Sequence, residues 1–242
     1  MPVPSQASRG ASGYFPINIR LADRPVLVVG GSRAALAEIR RLVEFGANVL
    51  VVAPHMVHEI QELAVTYGHK LQVQRRNLSL QDEDAIASHR YTLVIACSGS
   101  ADQDEYVVKL ANQSGTLVAL PDNHEIGNEA SFIIPAIRKR GHIKISVSTD
   151  GFSNALSRAL LERIESSLGG RIDKYMIVLD AFREKIAALY SNDQLTDDER
   201  KHVLRRLAES EELILAFQRE NFDEAIQLAE LIISESKDPA AI

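Results

Sequence analysis

The sequence predicts an α/β fold: a doubly wound parallel sheet, then a small α+β segment, then a helical end. Three observations carry this. Short apolar, β-branched runs alternate with helical stretches from Tyr14 to about residue 123. Each run is apolar on both faces, as in a parallel sheet covered by helices on both sides. After Asp122 the alternation stops, and a strand-pair pattern and a long helical stretch follow.

The elements can be justified in order. Residues 1–13 are small, polar and rich in Gly, Pro and Ser, and read as a disordered tail. Pro25–Val29 is too short for a helix and reads as a buried strand. From Ala34 to Phe45, Ala35, Ile39, Leu42 and Val43 recur at helical spacing, and Gly46 stops the helix. The pattern repeats with a strand over Asn48–Ala53 and a helix over His55–Tyr67. Leu71–Arg76, Leu93–Ala96 and Thr116–Leu120 read as three further strands, with a helix over Gln103–Asn112 before the last. Ser131–Ile137 and His142–Thr149 are strand-like segments separated by Arg138-Lys-Arg-Gly141, a hairpin pattern. Ser153–Leu168 reads as a helix with Leu156, Leu160 and Ile164 on one stripe, ended by Gly169-Gly170. The remainder reads as helical, with N-terminal capping patterns at Thr196-x-x-Glu199 and Asn221-x-x-Glu224. The expected division is a tail (1–13), an α/β domain (14–125), a small α+β domain (126–168) and a helical domain (169–242).

Composition narrows the function. With 242 residues, 45% hydrophobic and 25% charged, the chain is an ordinary globular protein of one large or two modest domains. One cysteine forbids an internal disulfide and any multi-cysteine metal site, and points to a reducing, cytoplasmic setting. No apolar run reaches about 18 residues, so no membrane span is expected. The first residues lack the apolar stretch of a signal peptide. A net charge of −6 argues against a nucleic-acid-binding surface.

Four features could carry chemistry. First, the opening strand leads into Gly30-Gly31-Ser32-Arg33-Ala34-Ala35 and a helix. This strand–turn–helix setting matches the dinucleotide pattern G-x-G-x-x-G/A, in which the turn brings backbone and a helix N-terminus to a pyrophosphate. Ser32 stands at the middle glycine position, and Ala53-Pro54-His55 stands where an acid usually follows the second strand. The same glycines would also serve a packed strand–helix turn with no ligand. Second, Asp122 follows the fifth strand, where ligands of such sheets bind; Pro121-Asp-Asn is equally ordinary turn chemistry. Third, Ser131–Tyr175 is locally basic, with Arg138, Lys139, Arg140, Lys144, Arg158, Arg163, Arg171 and Lys174 against four acids. That suits a polycarboxylate, or a solvated turn and helix faces. Fourth, Ser148-Thr-Asp-Gly-Phe-Ser-Asn154 is a small polar loop suited to an anion, or to capping the next helix through Ser153 or Asn154. The histidines show no metal spacing, and Cys97 reads as a small buried hydrophobe.

Several segments in order carry a resemblance: Tyr-Phe-Pro-Ile-Asn-Ile (14–19), Val-Leu-Val-Val-Gly-Gly (26–31), Gly-Ala-Asn-Val-Leu-Val-Val-Ala-Pro (46–54), Asp122, Ala-Ser-Phe-Ile-Ile-Pro-Ala (130–136) and Ile-Ser-Val-Ser-Thr-Asp-Gly (145–151). From about residue 14 to 190 the chain resembles the precorrin-2 dehydrogenase/sirohydrochlorin ferrochelatase family, the siroheme-synthase N-terminal module. Cys97-Ser98-Gly99 stands where that family often has Ala-Thr-Asp.

The resemblance implies a Rossmann-like NAD-binding domain, a dimerisation and tetrapyrrole domain and a homodimer. It implies NAD at Gly30, Gly31, Ser32, Arg33, Ala34, Pro54, His55 and Ser98, with NAD and NADP left undistinguished by the missing acid. It implies precorrin-2 oxidation to sirohydrochlorin by hydride transfer, with Asp122 as base. In bifunctional members, Fe²⁺ is then inserted past the same aspartate. The tetrapyrrole is expected near Ser148, Thr149, Gly151, Ser153 and Asn154. Two other readings use the same residues: a sirohydrochlorin chelatase independent of NAD, and a non-catalytic tetrapyrrole- or nucleotide-binding module.

Overall fold

The computed structural model describes residues 13–121, 129–140, 143–168, 182, 184, 187, 196–219 and 221–235. The chain forms two compact units, one of Met1–Ile134 with Ser148–Ser153, the other of Pro135–Val147 with Asn154–Ile242.

The first unit runs β1 (Pro25–Val29), α1 (Arg33–Glu44), β2 (Asn48–Val52), α2 (His58–Tyr67), a 3₁₀ turn (Gly68–Lys70), β3 (Leu71–Gln74), α3 (Leu80–Ala87), β4 (Leu93–Ala96), α4 (Ala101–Ser114) and β5 (Leu117–Ala119). All five strands are parallel in the order β3-β2-β1-β4-β5, with β1 at the centre. Val26 lies level with Val49 on one side and Leu93 on the other. Helices cover both faces, which is why β1 and β4 carry no polar residue. Val26, Val28, Val49, Val51 and Ile95 pack with Ile39 and Val43 of α1 and Ile60 of α2. Leu27, Val29, Val94 and Ala96 pack with Ile86 of α3 and Val107, Val108 and Ala111 of α4. The architecture is a mixed α/β, Rossmann-like parallel sheet whose strand order switches sides between β1 and β4.

Three local readings change. α2 starts at His58, three residues later than the periodicity predicts, because Val57 stays extended and its N–H donates to the Gly31 carbonyl at 2.9 Å. α3 has no counterpart in the sequence reading; it is short and weakly amphipathic, and its start is fixed by a capping box between Ser79 and Asp82. Ser131–Pro135 is not a strand. Ser131 instead binds β5, its N–H donating to the Val118 carbonyl at 2.9 Å and its hydroxyl accepting from the Val118 N–H at 2.7 Å.

In the second unit the hairpin strands are β6 (Ala136–Arg140) and β7 (Ile143–Val147), antiparallel, with Arg140 opposite Ile143. Pro135, which has no N–H for a ladder, stands immediately before β6. The basic triplet Arg138–Arg140 therefore lies in a strand rather than in the turn. Arg138 and Arg140 reach one carboxylate, Glu165 of α5 (Asn154–Leu168), with Arg138 Nε at 2.9 Å and Arg140 Nη2 at 2.6 Å. α5 packs on both strands. Among the described residues the helices α6 (Asp197–Glu209), α7 (Glu211–Gln218) and α8 (Phe222–Glu235) follow. Val203, Leu207, Leu213, Ala225 and Ala229 form their core, and the Thr196–Glu199 capping box starts α6. Among the described residues no helix is long and apolar enough to cross a membrane.

Candidate functional site

The β1–α1 turn is built by close approach of three backbones. Gly30 has φ +144°, a region L side chains avoid. A Cβ there would strike the Cys97 carbonyl and come within 3.0 Å of the Ser98 nitrogen, so the turn lies against the exit of β4. A Cβ on Gly31 would overlap the His55 carbonyl and reach 2.8 Å from the Met56 Cα, so the turn also lies against the exit of β2. Both glycines thus serve packing of the turn between neighbouring strand exits.

Ser32 is the N-cap of α1, and its hydroxyl accepts from the Ala35 N–H at 3.2 Å. The side chain at the middle glycine position is therefore turned to the helix start. The hydroxyl satisfies one of the unpaired amides of the first turn, leaving those of Arg33 and Ala34 without an intrahelical acceptor.

A cleft of about 440 Å³ opens at the carboxyl edge of the sheet, over this turn. It collects Gly30, Gly31, Ser32, Pro54, His55 and Ser98, six of the eight residues expected to meet a cofactor. Arg33 and Ala34 open α1 beside it but do not line it. The sequence reading missed Leu78, after β3, and Gln103, in the first turn of α4. Both follow from the strand order, since the exits of β1, β2 and β4 and the segment after β3 border the cleft.

Two buried carboxylates hold the cleft's outer loops. Asp104 of α4, 3% exposed, accepts from the Ser98 N–H at 2.8 Å and ties down the β4 exit. Asp82 of α3, 4% exposed, receives the Arg76 guanidinium, with Nη2 at 2.8 Å, and the N–H and hydroxyl of Ser79 at 2.8 and 2.7 Å. Leu78 stands inside that clasp. The bonds from Arg76, ahead of those from Ser79, lower the Asp82 pKa to about 2 despite its burial.

The other expected residues are placed less completely. Asp122 lies outside the described residues. Ser148, Thr149, Gly151 and Ser153 form one tight loop in which Asp150 and Gly151 have φ +51° and +78°. The N–H groups of Asp150, Phe152 and Ser153 are engaged within it, by the Ser148 hydroxyl, the Thr149 carbonyl and the Thr149 hydroxyl. An anion facing this loop would meet side chains rather than those three amides. Asn154 is the first residue of α5, in the other unit. The bonds from Arg140, then the charge of Arg138, hold the Glu165 carboxyl below its usual range. Among the described residues no three His, Cys, Asp or Glu side chains form a metal-binding group.

A five-stranded parallel sheet with an open cleft over a glycine turn defines a Rossmann-like α/β protein. Residues 17–136 match the family described as "Putative NAD(P)-binding". The chain is 28% identical to siroheme synthase 1 of Aeromonas salmonicida over 92% of its own length and 44% of that protein's. It is 32% identical to a siroheme synthase of Thioalkalivibrio sulfidiphilus, over 81% of this chain and 37% of that one. A Neisseria meningitidis siroheme synthase is 36% identical over 64% of this chain and 30% of its own. The chain thus spans less than half the length of these curated relatives. A solved structure of SirC, precorrin-2 dehydrogenase, superposes with a TM-score of 0.69 at 24% identity, covering 90% of this chain and all of that one. Over the part it covers, the chain is thus similar to siroheme synthases, and it shares the fold of a precorrin-2 dehydrogenase.

Proposed function

We propose that this protein oxidises precorrin-2 to sirohydrochlorin in siroheme synthesis, with a nicotinamide dinucleotide as hydride acceptor. The carrying observation is the cleft: six residues scattered over 69 positions of sequence, Gly30 to Ser98, meet at one sheet edge in a chain similar to siroheme synthases. Its donor set fits the group. The first-turn amides of α1 suit a pyrophosphate, Gly30 and Gly31 bring backbone close, and neutral side chains (Ser32, Ser98, Gln103) border the rest. When bound, the dinucleotide supplies a two-electron acceptor.

The protein's own contribution is positioning and proton transfer. The β2 and β4 exits, pinned by Val57–Gly31 and Ser98–Asp104 bonds, hold the site in shape. Loss of a hydride from the tetrapyrrole is balanced by loss of one proton, which Asp122 takes as base. Ser148, Thr149, Gly151, Ser153 and Asn154 hold the polycarboxylate, and the protein acts as a homodimer in the cytoplasm. The relatives' names favour a second step, insertion of Fe²⁺ as substrate past Asp122.

Incubation with precorrin-2 and NAD⁺ should give NADH and sirohydrochlorin in equal amounts. Asp122→Asn should slow turnover by about 10²-fold or more while leaving dinucleotide affinity unchanged. A folded wild-type protein that forms no NADH refutes the dehydrogenase.

A further inference from the structure

We propose that Phe152 is a stacking platform for the tetrapyrrole, so that the Ser148–Ser153 loop holds the substrate by the flat face of its macrocycle and not by its carboxylates. The proposal rests on that loop being the tetrapyrrole site.

The loop is poorly built for a carboxylate. It carries no basic side chain, and Asp150, exposed at its turn, brings an acid. Three of its N–H groups are already engaged within it. Asp150 donates to the Ser148 hydroxyl at 3.0 Å, Phe152 to the Thr149 carbonyl at 2.8 Å and Ser153 to the Thr149 hydroxyl at 3.0 Å. A carboxylate approaching this loop meets a like charge and no cation belonging to it.

What the loop offers instead is a ring. Phe152 is 80% exposed. A single exposed apolar side chain is ordinary on a protein surface, but the backbone beneath this one is fixed on both sides. Asp150 and Gly151 have φ +51° and +78°, and the Phe152 N–H closes the turn onto Thr149. Two successive positive φ values are the pattern of a type I′ turn, for which Asp-Gly is a preferred pair. The left-handed conformation is unfavourable for Asp150, which has a Cβ, so the turn is held by its surroundings. The Thr149 hydroxyl then grips Ser153 twice, accepting from its N–H at 3.0 Å and donating to its carbonyl at 3.1 Å. Phe152 stands between these clamped residues, and its backbone needs no further ordering when a ligand arrives.

A tetrapyrrole such as precorrin-2 is a broad ring system with apolar faces and carboxylates around its rim. An aromatic side chain gains both apolar burial and favourable ring geometry against such a face. Contact through Phe152 leaves the rim carboxylates to solvent and to basic groups outside the loop.

Sirohydrochlorin, titrated into the intact chain and followed by its absorbance, tests this. Phe152→Ala should weaken its binding at least about fivefold and raise the KM for precorrin-2 by a similar factor. The kcat, the Kd for NAD⁺ and the thermal midpoint should stay at wild-type values, because the side chain is exposed. Phe152→Trp should restore sirohydrochlorin affinity, and the ratio between Phe152→Ala and wild type should persist in high salt, since stacking is not screened. A weaker effect of Phe152→Ala overturns the proposal, as does a Phe152→Trp variant no better than Phe152→Ala. A Phe152→Ala variant that changes association state in sedimentation assigns the ring to a contact between copies and also overturns it. A folded wild type that binds no sirohydrochlorin overturns the tetrapyrrole site beneath the proposal as well, so the two failures are distinguishable.

Discussion

Replacing Asp82 by Asn keeps the side chain's shape and removes its charge. In the wild type this carboxylate, 4% exposed, accepts from both terminal nitrogens of Arg76 and from the N–H and hydroxyl of Ser79. Its pKa is lowered from 3.8 to about 2, chiefly by Arg76. A folded-state pKa below the unfolded value means that folding favours the ionised form. The stabilisation is therefore complete above the unfolded pKa and is lost as pH falls through the folded one. The shift corresponds to about 2 kcal/mol at pH 7, falling to about 1 kcal/mol near pH 3. Because Arg76 is about one-third exposed, solvent screening makes these upper values. Urea midpoints of wild type and Asp82→Asn at pH 7, 5 and 3 measure the gap directly, since the other carboxylates titrate in both proteins. The gap should be similar at pH 7 and 5 and should roughly halve at pH 3. A gap that is constant or widens toward pH 3 refutes the reasoning. The same variant should weaken dinucleotide binding, because Leu78 of the cleft stands within the Arg76–Asp82 clasp.

Two further substitutions probe the turn. Gly31→Ala should cost on the order of 2 kcal/mol in thermal unfolding and abolish dinucleotide binding, since its Cβ would overlap the His55 carbonyl and crowd the Met56 Cα and Cγ. Ser32→Ala should cost about 1 kcal/mol as a lost N-cap, yet leave dinucleotide affinity within about threefold, because the hydroxyl is turned to Ala35; calorimetry separates the two effects.

The sheet was legible in the sequence because burial on both faces forces continuous apolar strands, and Pro25–Val29 and Leu93–Ala96 match the structure at both ends. What stayed hidden was decided by contacts distant in sequence. The Val57–Gly31 bond delays α2, and the Ser131–Val118 bonds take a strand-like segment out of the hairpin. α3 was missed although Ser79-x-x-Asp82 is a capping pattern, because its eight residues bury only Asp82, Ala85 and Ile86 and leave little apolar period to read. The cleft was half legible. The glycine turn marks itself by composition, but Leu78 and Gln103 join it only through strand order. The roles of Gly30 and Gly31 likewise needed the positions of Cys97 and His55, which no local pattern contains.

The Ser131 contact with β5 bears on assembly. β5 has only three residues and lies at one edge of the sheet, where an open strand would offer a template to another chain. Both main-chain groups of Val118 are already taken by Ser131, one of them by a side-chain hydroxyl that cannot continue a ladder. The edge is stoppered from within the same chain. Two copies cannot join through β5 into a continuous sheet, so any pairing of protomers has to be made by surfaces elsewhere.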